Sequence, residues 1–143
     1  MEPANPEAGL GHVDIPVALF ESMIAHCREE YPNEACGILA GRYMLVSEIY
    51  RMINIEPSPV SFLMDPAEQF GVMKELVSKS LWMTAIYHSH PSSPAFPSTR
   101  DKELAFYEEV VYVIVSLMET EPVIKGFSIK EGEVRGVEIA VIP

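Results

Sequence analysis

The sequence predicts an α/β fold: a mixed, largely antiparallel sheet with helices on both sides. Apolar runs of strand length alternate with two amphipathic segments of helix length. Hairpin signals and helix crossovers both occur, which argues against a doubly wound parallel sheet. With 143 residues and 48% hydrophobic composition, the chain has material for one compact domain over residues 1–143 and no room for a second.

Met1 to Gly11 has no periodicity and is expected to fray. Ile15 to about Tyr31 places Val17, Phe20, Ile24 and Cys27 on one stripe, a helix entered through Pro16 and ended before Pro32. Ala35 to Ala40 and Tyr43 to Asn54 read as adjacent strands turning at Gly41-Arg42. Ser61 to Met64 is a short candidate strand. Asp65-Pro66 opens a helix to about Ser80, with Phe70, Met73, Leu76 and Val77 on its packed side. Leu81 to Tyr87 is a buried strand that delivers two histidines at its carboxyl end. A short helix from Asp101 to about Glu109 follows, then a core strand from Val110 to Met118. Val123 to Lys130 and Glu133 to Ile142 form a last hairpin through Glu131-Gly132.

Composition excludes several function classes. A formal net charge of −11 opposes a phosphate-binding surface, so nucleic acid is not an expected partner. The longest apolar run is far short of the ~20 residues that cross a bilayer, and the amino-terminal stretch lacks the basic and apolar regions of a signal peptide. Two cysteines, Cys27 and Cys36, indicate no disulfide framework, and a reducing, cytoplasmic setting is expected.

The chemistry is concentrated in Tyr87-His88-Ser89-His90-Pro91 and Ser98-Thr99-Arg100-Asp101. On a strand, side chains two apart share a face, so His88 and His90 can converge on one ion at about 2.0–2.1 Å. Asp101 supplies a third ligand across the turn and leaves a fourth position for water, the arrangement of a hydrolytic zinc site. Ser98 and Asp101 also read as a helix-capping box, which fixes their directions. The intervening Pro91, Pro94 and Pro97 stiffen the loop. A Cys36–His88 thiol–imidazole pair is the alternative catalytic scheme, and it leaves His90 and Asp101 unused.

These residues, together with Asn33-Glu34-Ala35-Cys36-Gly37 upstream, resemble the signature of the JAMM metalloproteases (the MPN-plus, Mov34/PAD-1-like family), in its compact prokaryotic form. The resemblance spans most of the chain and implies a cytidine-deaminase-like α/β/α sandwich. It implies Zn2+ on His88, His90 and Asp101, with Glu34 as general acid and base and Ser98 steadying an oxyanion. It implies hydrolysis of the peptide or isopeptide bond after the Gly-Gly tail of a ubiquitin-like or sulfur-carrier protein. An edge strand near Ser61 to Met64 would hold that tail by β-augmentation. The competing expectations are a non-catalytic MPN-type scaffold, a zinc-binding interaction module or a RadC-like DNA-associated relative. The acidic charge opposes the last of these.

Overall fold

A computed structural model describes residues 11–143. Its strands are β1 (His12–Pro16), β2 (Cys36–Arg42), β3 (Leu45–Met52), β4 (Trp82–His90), β5 (Val111–Ser116), β6 (Val123–Lys130) and β7 (Glu133–Ile142). Its helices are α1 (Val17–Glu30), α2 (Pro66–Lys79) and α3 (Thr99–Glu103). The sheet is mixed and closes on itself in the order β1-β3-β2-β4-β5-β6-β7. β4–β5 and both pairings of β1 are parallel, and the other four are antiparallel.

Strand β1 was not anticipated. Ile15 and Pro16, expected to open the first helix, lie opposite Val141 and Ile142 of β7 instead. The helix begins one residue after Pro16, its N-cap, and ends at Glu30 before the cis Tyr31–Pro32 bond. Residues 1–10 of the segment expected to fray lie outside the described residues, and Gly11 is tied in by its carbonyl, which accepts from Glu138 N at 3.2 Å.

Gly41 marks a bulge, not a turn. The registers of β2 with both neighbours shift beside it, and a Cβ there would run into the Leu45 carbonyl. The reversal occurs two residues later at Tyr43-Met44, with Tyr43 at φ 54°. Glu131-Gly132 does turn where expected: both residues have positive φ, as a two-residue type I′ hairpin requires.

The period-two alternation of the strands sorts side chains into two cores. On one face Val13, Ile15, Leu39, Tyr87, Val113 and Val115 pack with Met23 and Cys27 of α1. The other carries Ile38, Ile86, Tyr112, Ile114 and Phe127, with Val72 of α2 against them. Most of the first predicted stripe packs inward, with Phe20, Ile24 and Cys27 in the first core and Val17 exposed; the second is partly rotated, with Leu76 buried as expected, Phe70 and Val77 exposed, and Val72 turned inward. Ser61 to Met64 forms no strand; one bridge joins Asn54 to Met64. The helix expected to reach Glu109 stops after Glu103, and Tyr107 N donates to the Tyr112 hydroxyl at 3.0 Å. Among the described residues no helix is long and apolar enough to cross a membrane.

Tyr87 is fully buried beneath the histidine-bearing end of β4. Its hydroxyl meets His26 Nδ1 at 2.6 Å, which ties α1 to the sheet. The ring fits because position 37 is glycine: a Cβ there would overlap the Tyr87 ring carbons.

Candidate active site

His88 and His90 share one face of β4, as period two requires, and both are buried, at 2% and 3% exposure. Asp101 comes from the first turn of α3, where the capping box forms as the sequence suggested. Ser98 Oγ accepts from Asp101 N at 3.1 Å, and Ser98 N donates to Asp101 Oδ2 at 2.9 Å. That same Oδ2 lies 3.2 Å from His88 Nε2 and 3.0 Å from His90 Nε2, and the two nitrogens are 3.1 Å apart.

This small triangle fits a metal ion. Ligands about 2.0–2.1 Å from a tetrahedral centre stand about 3.3 Å from one another, close to the separations found here. His90 Nδ1 donates to the Pro94 carbonyl at 2.8 Å, so its Nε2 presents a lone pair to the centre. Among the described residues His88 Nδ1 has no hydrogen-bond partner; its ring is held against Phe62, with centroids 4.7 Å apart. Among the described residues these three form a group able to hold a metal ion.

The ionised Asp101 and neutral His88 agree with that geometry. Burial opposes ionisation of Asp101, but the two imidazoles and the Ser98 N–H outweigh it and hold the carboxyl far below its usual range. Burial lowers the pKa of His88, against the pull of Asp101. For His90 burial is outweighed by Asp101 and the Pro94 carbonyl, and the pKa rises.

Glu34 reaches the site by register. Cys36 pairs with His88, Ser89 N donates to the Ala35 carbonyl at 3.1 Å, and continuation of this antiparallel ladder sets Glu34 beside His90. Its backbone is fastened on both sides: Glu34 N donates to the Ser58 carbonyl at 2.8 Å, and Asn54 Nδ2 donates to the Glu34 carbonyl at 3.0 Å. Its side chain is not. Glu34 is 3% exposed, Oε1 has no hydrogen-bond partner, and burial pushes its pKa up to about 8. The structure thus brings His88, His90 and Asp101 into one cluster, sets Glu34 at its edge and places Ser98 under Asp101.

Three supporting groups escaped the sequence reading. The Pro94 carbonyl orients His90; Ser89 Oγ accepts from Ala35 N at 2.8 Å and fixes the residue after Glu34; Asn54 ties the Glu34 and Ser61 carbonyls together. Pro94 was legible only as a loop stiffener, and Asn54 only as the end of a predicted strand. Cys36 is fully buried on the strand beside His88. Burial pushes its thiol up to about 12, away from the thiolate that a thiol–imidazole pair needs.

Residues 16–129, a span containing Glu34, His88, His90, Ser98 and Asp101, match the family model described as prokaryotic homologs of the JAB domain. The chain belongs to the prokaryotic JAB family. This JAB domain is 37% identical over 129 residues to a probable TtuB-protein conjugate cleaving protease of Thermus thermophilus, covering 90% of this chain and 80% of that protein. It is 32% identical over 133 residues to a CysO-cysteine peptidase of Mycobacterium bovis, covering 87% of each. A solution structure from Desulfitobacterium hafniense superposes with a TM-score of 0.83 at 39% identity, over 91% of this chain and 92% of that one.

Proposed function

We propose that the chain is a zinc-dependent peptidase or isopeptidase that hydrolyses the bond after the C-terminal Gly-Gly of a ubiquitin-like or sulfur-carrier protein. The carrying observation is the triangle of His88 Nε2, His90 Nε2 and Asp101 Oδ2, edged by the unpartnered carboxyl of Glu34. Relatives named for cleaving TtuB–protein conjugates and CysO-cysteine support the substrate class. The sandwich description implied by the family resemblance belongs to this reading, with α1 and α2 packed against opposite faces of the sheet. So do a single catalytic domain over residues 1–143 and a cytoplasmic setting, to which the free buried thiols of Cys27 and Cys36 are suited.

His88, His90 and Asp101 would hold the ion. Zinc in that position supplies Lewis acidity, which makes water a nucleophile at neutral pH. Glu34 takes a proton from the attacking water and returns it to the leaving nitrogen as the carbon–nitrogen bond breaks, so the products are a glycine carboxylate and a free amine. Its carboxyl is suited to both tasks. Burial raises its pKa to about 8, and a neighbouring cation draws it down from there, toward the range in which a group both accepts and donates at neutral pH. Ser98 Oγ accepts from Asp101 N and keeps its own proton to donate to the developing oxyanion.

Chelation tests the proposal. Cleavage of a Gly-Gly-tailed fusion is expected to stop when a chelator strips the metal and to return on adding one equivalent of zinc. Melting temperature is expected to fall with chelation, because an ion bound only by the folded state stabilises by about 2.7 kcal/mol at 100 times its dissociation constant. Turnover undiminished in the chelator would overturn it.

Ser98→Ala separates positioning from binding. The substitution removes an N-cap, worth about 1 kcal/mol. It is expected to lower turnover about 10²–10³-fold while zinc stays bound, because a donor to the oxyanion is lost and all three ligands remain. Metal analysis beside a cleavage assay checks both halves.

A further inference from the structure

A small cavity opens against the metal-ligand cluster. His88, Asp101 and Arg100 are its ionisable members beside Ser61 and Tyr112, and Phe62, Ile114 and Ile129 give it apolar surface. Ile114 and Ile129 are themselves buried, at 0% and 2% exposure, so the cavity has a closed floor. Arg100 is exposed, and among the described residues its guanidinium makes no hydrogen bond and no ion pair. The adjacent carboxylate does not neutralise it, since Asp101 Oδ2 is engaged by both imidazoles and by Ser98 N. Arg51 and Arg135, by contrast, each pair with a glutamate.

We infer that Arg100 receives the free α-carboxylate of the residue on the leaving side of the scissile bond, whose small apolar side chain occupies this cavity. The inference rests on the peptidase reading of the same site and narrows its substrate. Three properties of the cavity carry it. A blind floor beside the reacting centre admits the end of a chain, whereas the carrier body on the other side of the bond needs an open approach. A guanidinium fork matches a carboxylate in a bidentate geometry, and in an extended tail only the last residue offers one at the backbone. Apolar walls accept a short hydrocarbon or thiol side chain and leave a charged one without a partner. The preferred substrate is therefore a Gly-Gly-tailed carrier extended by one C-terminal residue. A carrier joined to a lysine of a second protein is disfavoured, since its leaving group brings a whole polypeptide and no carboxylate at that place.

Three peptides with the same carrier tail test this on the zinc-loaded full chain: one ending Gly-Gly-Ala with a free carboxylate, the same peptide amidated, and one with Gly-Gly on a lysine side-chain amine. The wild type is expected to favour the free acid over the amide by about 10- to 100-fold in kcat/KM, chiefly through KM, the span of one charged hydrogen bond. Arg100→Gln is expected to bring the acid down to the level of the amide, and Arg100→Lys to restore part of the difference. Equal cleavage of acid and amide by the wild type overturns the inference, as does an equal loss on both in Arg100→Gln. Cleavage of the lysine-linked peptide alone also overturns it and leaves the peptidase reading standing. Cleavage of none of the three overturns both.

Discussion

Glu34→Gln is expected to lower turnover by about 10²–10⁴-fold, the contribution of one positioned proton-transfer group, while the protein keeps its fold and its zinc. The separation is unusually clean, because among the described residues the hydrogen bonds that hold Glu34 act through its backbone: Ser58 and Asn54 grip its N–H and carbonyl, and Oε1 has no partner. A neutral amide of nearly the same shape leaves those contacts intact. It also removes a buried group whose ionisation costs stability, so the midpoint of chemical denaturation should stay level or rise. Single-turnover cleavage of a Gly-Gly-tailed fusion, with metal content measured on the same sample, gives the result. A variant within tenfold of wild-type turnover would remove Glu34 from the chemistry.

Gly37→Ala is expected to be strongly destabilising, by about 3 kcal/mol, the upper part of the usual overpacking range. The added carbon would overlap the ring of Tyr87. That ring has nowhere to go, being fully buried and bonded to His26 Nδ1 at 2.6 Å. Tyr87→Phe gives no relief, since ring carbons as well as the hydroxyl meet the new methyl. The strain falls on the pairing of β2 with β4, in which Gly37 lies opposite Tyr87 and Cys36 opposite His88, so zinc affinity should drop along with stability. Gly71→Ala in α2 is the matched control. Nothing lies within 4 Å of a Cβ there, and a helical glycine replaced by alanine gains roughly 0.5–1 kcal/mol. Denaturant titrations of the two variants should therefore move in opposite directions; a Gly37→Ala protein as stable as wild type would mean that the sheet can part locally around Tyr87 at little cost.

The convergence of His88, His90 and Asp101 was readable because each of its parts obeys a short-range rule. Two histidines separated by one residue must share a strand face, and a serine three residues before an aspartate at a helix start must hold that carboxylate in place. Glu34 had no such local signature: its place follows from a strand register set by residues fifty positions away, and only resemblance to a family pointed to it. The same distinction runs through the fold. β6, β7 and their hairpin have the limits expected from alternation and turn chemistry. β1 was invisible because five residues, His12–Pro16, become a strand only through β7, far along the chain, and their last two residues also fit the start of a helix. Periodicity predicted both helices and most of the buried side of α1, but only part of that of α2. Phe70 and Val77 satisfied the spacing beside Leu76 and still face solvent, since the sheet beneath takes Val72 together with Leu76.

The ring of strands is sealed unequally. β1 joins β7 along five residue pairs, but meets β3 at the single pair Asp14–Leu45 and the Asp14 N to Met44 carbonyl bond of 2.8 Å. A cylinder with one riveted joint and one tacked joint yields at the tack. Amide deuteration should therefore reach Asp14 and the outward-facing amides of β3 well before those of β4, and β1 should peel away with β7 as a single flap, with His88 and His90 left on the part that stays shut.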